Sequence, residues 1–132
     1  MPATSQQVLI VEDDNEIRAT LAFLLRDAGY TVHEASDGKP ALERLRRSRE
    51  RLVVLLDLRM PGVDGVQVMH AVAADDNLAT RHAYIVMTAN ERTFPLEFAA
   101  LLSRLKVPVI AKPFDIEALL DAVDQAAARL ES

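Results

Sequence analysis

The chain has 132 residues, half of them hydrophobic and 27% charged, a size and balance that suit one globular core rather than a disordered chain. Its formal net charge of -5 argues against a general nucleic-acid surface, and the lack of cysteine removes disulfides and thiolate metal sites. No apolar run approaches the ~20 residues that would span a bilayer, and the opening MPATSQQ has neither the basic start nor the apolar centre of a secretory signal, so a cytoplasmic protein without membrane contact is expected.

In chain order, Gln7 to Glu12 (QVLIVE) reads as a short apolar strand that ends in acids. Asp14 can cap a helix whose apolar positions Ile17, Leu21, Leu24 and Leu25 share one face, and Gly29 closes it. Tyr30 to Ala35 reads as a second strand, followed by the turn residues Ser36, Asp37 and Gly38. Pro40 is acceptable only in the first turn of the next helix, which turns Ala41, Leu42 and Leu45 inward. Arg44, Arg46, Arg47, Arg49 and Arg51 crowd the end of that helix, where cations on a solvated face favour the negative end of the helix dipole.

Leu52 to Asp57 is the third strand, five apolar residues that run into a carboxylate. Pro61 and Gly62 mark the loop after it, and a helix starts near Asp64 with Val66, Val68, Met69 and Val72 as its apolar positions. A polar stretch, Asp75 to Arg81, leads to a fourth strand at Ala83 to Thr88. Asn90 to Thr93 reads as a loop, Phe94 to Leu105 as a helix, and Val107 to Ala111 as a fifth strand ending at Lys112. Asp115 then caps a last helix to about Leu130, with Ile116, Leu119, Leu120 and Val123 as its buried stripe. Five strands alternating with five helices through short connections predict a parallel sheet with helices on both faces, as one domain over residues 1–132.

In a parallel sheet all the carboxyl ends of the strands lie along one edge, where ligands bind. That edge gathers Glu12, Asp13 and Asp14 after strand one, Asp57 after strand three, Thr88 after strand four and Lys112 after strand five. Clustered carboxylates repel one another, so a cation must compensate, either the Lys112 ammonium or a divalent ion. Oxygen ligands without cysteine, and without convergence of His33, His70 and His82, favour magnesium over zinc. Magnesium held by few carboxylates in turn implies a phosphate.

The segments LIVEDD, LLDLRMPGVDG, IVMTA and AKPF, in this order and spacing, resemble the receiver domain of two-component response regulators over nearly the whole chain. The resemblance implies a flavodoxin-like, doubly wound (βα)5 fold with strand order 2-1-3-4-5. It implies that Asp57 takes a phosphoryl group from a histidine kinase or phosphotransfer protein, in a magnesium-dependent reaction that switches a surface for a downstream partner or output domain. Glu12, Asp13, Asp57 and the backbone carbonyl of Arg59 would hold the metal, Thr88 and Lys112 would contact the phosphoryl oxygens, and Lys112–Pro113 would be a cis bond. Arg59 and Asn90 stand where the side chains flank the hydrolytic water and tune phosphoryl lifetime. Such a domain signals, catalyses only its own phosphorylation and dephosphorylation, and makes no direct contact with nucleic acid.

The chain departs from the family pattern in three places. Val109 replaces the usual Tyr or Phe before the lysine, and a valine cannot act as a large rotamer switch, so Thr88 would pass its movement through a loop to the next helix. The Gly-Ala common before the fifth strand is replaced by Leu105, Lys106 and Val107, and Phe94 and Pro95 stand where a helix normally begins. Alternatives of other kinds remain. The chain could be the receiver part of a larger regulator or hybrid kinase, which the full reading frame would settle. An Asp-nucleophile phosphatase would need a general acid two residues after the nucleophile, where Arg59 stands.

Overall fold

The computed structural model describes residues 6–60, 62–89 and 94–131. Five strands, β1 (Gln7–Val11), β2 (Thr31–Ala35), β3 (Leu52–Asp57), β4 (Ala83–Thr88) and β5 (Val109–Ala111), form one parallel sheet in the order β2-β1-β3-β4-β5. Among the described residues six helices surround it: α1 (Asn15–Asp27), α2 (Gly38–Arg47), α3 (Gly65–Ala73), α4 (Asp76–Arg81), α5 (Leu96–Arg104) and α6 (Ile116–Glu131). None of them is long and apolar enough to cross a membrane.

The apolar runs become strands because both faces of the sheet are covered. Alternate residues of one strand point to opposite faces. Leu9, Val54, Leu56 and Val86 therefore meet α2, α3 and α5 through Leu45, Val68, Met69 and Phe98. Val8, Ile10, Val53, Leu55, Ile85 and Met87 meet α1 and α6 through Leu21, Leu25, Leu119 and Val123. Every residue of β3 is buried, so the central strand carries no polar side chain until its last position, Asp57.

Four expectations need correction. The polar stretch before β4 contains a helix, α4, which Asp75 caps by accepting the N–H groups of Asn77 and Leu78. Helix α5 starts at Leu96 rather than Phe94, with Pro95 as its N-cap in a non-helical conformation; β5 starts at Val109 rather than Val107, because Lys106 at φ 59 and the Val107 N–H bonded to Leu102 O still belong to the helix end. Ile116 is 47% exposed, so the stripe of α6 begins at Leu119. Asp115 does cap that helix, accepting the Glu117 N–H at 3.0 Å.

Candidate functional site

The site grows out of the way each strand ends. β1 leaves the sheet at Glu12, whose N–H still donates to Ala35 O at 3.0 Å, and Asp14 then caps α1 by accepting the N–H groups of Glu16 and Ile17. The short connection leaves Asp13 exposed and folds Glu12 inward until it is 1% exposed. β3 ends at Asp57, itself 5% exposed, and its Oδ1 accepts the Arg59 N–H at 3.2 Å. The chain then turns sharply into α3. Gly65 makes the turn possible, since a Cβ there would stand 2.3 Å from the Asp57 carbonyl oxygen. β4 ends at the buried Thr88, and the Lys112 N–H donates to Thr88 O at 2.8 Å, which places Lys112 just beyond β5 at the same edge.

Lys112 joins the two buried acids. Its Nζ lies 2.7 Å from Glu12 Oε1 and 3.3 Å from Asp57 Oδ2, and the bond from Lys112 to Pro113 is cis. For Glu12, burial is the larger influence and raises the carboxyl pKa against the pull of Lys112. Burial also opposes the Lys112 charge, but the bond to Glu12 and the field of Asp57 outweigh it and hold the ammonium above the ordinary lysine value. The site is thus pre-neutralised in part: one cation serves two buried carboxylates while Asp13 stands at the rim.

Glu12, Asp13 and Asp57 each offer a carboxylate oxygen within 4.8 Å of the others. An all-oxygen donor set with two of its three acids buried, and still richer in negative than positive charge, suits a hard divalent cation such as magnesium. The histidines stay out of the cluster. His82 is buried between α2 and β3, where it accepts the Leu52 N–H at Nδ1 and faces Leu45 O through Nε2, and His33 meets Gln7.

Arg59 is exposed at the rim, with its N–H turned to Asp57. Asn90 lies outside the described residues. Val109 opens β5 opposite Val86 and packs against the cluster that holds Phe98 and Leu102, so the aromatic side chains on this side of the sheet come from elsewhere. Phe94 and Phe98 meet edge to face at 5.4 Å, and His70 of α3 lies 5.9 Å from Phe98. With Leu58, Val66 and Thr88 they line a cavity of about 320 Å³. Sequence reading missed this cluster; the unusual Phe94-Pro95 pair was the available signal.

The profile of the response regulator receiver domain matches residues 8–124. The sporulation initiation phosphotransferase F of Bacillus subtilis is 33% identical over 120 residues, covering 90% of this chain and 91% of its own. The transcriptional regulatory protein PrrA of Mycobacterium tuberculosis is 43% identical over 74 residues, covering 56% of this chain but 31% of its own, so this chain spans about a third of that relative. Among solved structures, the chemotaxis protein CheY4 of Vibrio cholerae superposes with a TM-score of 0.76 at 27% identity, over 93% of this chain and 99% of the other.

Proposed function

The chain belongs to the response regulator receiver domain family, and from that premise we propose that Asp57 is the phosphoacceptor, served by Lys112, Thr88 and a magnesium ion at Glu12, Asp13 and Asp57. The observation that carries the reading is the carboxylate cluster itself, with Asp57 buried at the end of β3 and paired to Lys112.

An Asp57 carboxylate oxygen attacks phosphorus, a new O–P bond forms, and the bond from phosphorus to the donor's imidazole nitrogen breaks with its electron pair leaving on that nitrogen. Asp57 is held for this step by the Arg59 N–H on Oδ1 and the Lys112 ammonium beside Oδ2, so the nucleophile does not have to be oriented at the moment of reaction. Lys112 offers a point charge to an incoming phosphoryl oxygen, and the Thr88 hydroxyl a hydrogen bond to another. Magnesium, when bound by the three acids and the Arg59 carbonyl, supplies the remaining neutralisation of phosphoryl charge. Arg59, exposed at the rim, and Asn90 govern how long the phosphoryl group lasts. The donor is a histidine kinase or phosphotransfer protein, and the modified surface serves a downstream protein or output domain.

Incubation with acetyl phosphate and magnesium should add one phosphoryl group by intact mass, and none to Asp57→Asn or in the presence of a chelator. Equal labelling of Asp57→Asn would overturn the assignment.

A further inference from the structure

Behind the acids stands an arginine that the reaction as described does not use. Arg18 lies one turn into α1, its side chain turned back toward the start of the helix, as helical side chains are. Its guanidinium, whose side chain is only 18% exposed, meets three acceptors from three segments. Nη1 donates to the carbonyl of Glu12 at 2.8 Å, Nη2 to Asn15 Oδ1 at 2.6 Å, and Nε to Glu34 Oε1 of β2 at 3.3 Å. Glu34 is held from its other side by Arg26, 3.5 Å from Oε2.

The first of those bonds matters most. The Glu12 carbonyl belongs to the peptide that joins Glu12 to Asp13, two of the three carboxylates of the cluster. On one side of that peptide the Glu12 N–H makes the last rung to Ala35 O, and beyond it Asp14 is committed to capping α1. Between those fixed points the orientation of the peptide plane decides where the inward Glu12 and the outward Asp13 lie relative to each other. Arg18 sets that plane, and its rigid fork ties the plane to α1 and β2 at once, which a single ammonium could not do.

We infer that Arg18 is a positioning residue that holds the Glu12–Asp13 peptide in the arrangement able to receive a divalent cation; this rests on reading the cluster as a cation site. Groups behind metal ligands commonly change metal affinity by about 10–100-fold when removed. The direction of the effect separates positioning from charge. A guanidinium near three acids repels a cation, so if charge were its whole influence, removing it would tighten magnesium binding. Positioning requires the reverse.

The test is a calorimetric magnesium titration of the full chain as wild type, Arg18→Met, Arg18→Lys and Asp13→Asn, with the thermal midpoint of each measured in chelator. Arg18→Met should weaken magnesium binding about tenfold. Arg18→Lys, which keeps the charge and most of the stem but not the fork, should also be weaker than wild type and serves if Arg18→Met does not fold. Unchanged or tighter binding in the folded variants overturns the role of Arg18, provided Asp13→Asn abolishes the wild-type binding. Wild-type protein that binds no magnesium, or binds it equally after Asp13→Asn, overturns the cation site and the role of Arg18 together.

Discussion

A buried histidine must be neutral to be cheap, and His82 meets that condition through its two bonds. Nδ1 accepts the Leu52 N–H at 2.9 Å and Nε2 lies 3.0 Å from Leu45 O, which fixes the tautomer with the proton on Nε2. A second proton would take away the acceptor of Leu52. Burial lowers the pKa of His82 and outweighs the Leu45 carbonyl, which raises it, while the charges of Arg81 and Arg51 add smaller pushes downward. The folded state therefore binds a proton less readily than the unfolded chain. Stability is complete above the ordinary histidine pKa and falls as pH drops below it, by at most about 1.4 kcal/mol per pH unit for one proton. His33 is shifted in the same direction, so both contribute to the wild-type slope. Urea unfolding between pH 7.5 and 5.5 should show a steeper loss for wild type than for His82→Gln, and equal slopes would assign the loss to other groups.

The end of α5 is the element where local conformation and residue type disagree. Lys106 adopts φ 59, with its N–H bonded to Ser103 O and the next N–H to Leu102 O, an arrangement that normally falls to glycine. A left-handed residue with a Cβ costs roughly 1–2 kcal/mol, and part of that is offset because glycine is more flexible when unfolded. Lys106→Gly should thus raise stability by about 0.5–1 kcal/mol, read as a shift of the urea midpoint at unchanged slope. A loss of stability would mean that the lysine stem makes up the strain by packing. The missing Gly-Ala was legible in the sequence, but its outcome was not, because a breaker can be replaced without moving the turn. β1, β3 and β4 were legible because burial on both faces forces continuous apolar runs. α4 was not, since six residues with Leu78 alone buried have no period to read. The acids, Thr88 and Lys112 could be placed by strand ends alone. Arg18 and the His70, Phe94 and Phe98 cluster could not, as their meaning depends on which helices pack together.

Across the whole molecule, a change at the acidic edge has to reach a surface that a partner can sense. Val109 has too little reach to do this by a rotamer flip, but Thr88 borders both the site and the cavity that Phe94, Phe98 and His70 line. A Thr88 drawn toward a phosphoryl oxygen would change the wall of that cavity, and α5 would repack. In NMR spectra with and without beryllofluoride, resonances of Phe94, Phe98 and His70 should shift in wild type and stay in place in Thr88→Ala; shifts confined to the pocket in wild type would refute this route. The pocket has one more consequence, which concerns time rather than space. Its central ion pair joins residues 100 positions apart, and the contact of Lys112 with Asp57 also crosses between strands. Such contacts are reached only after long loops have closed, late in folding. A polypeptide still emerging from the ribosome therefore holds Glu12 and Asp57 without the Lys112 ammonium until residue 112 has cleared the exit and β5 has docked. The order of synthesis thus sets the order of charge balance at this edge: the acids come first and their cation last.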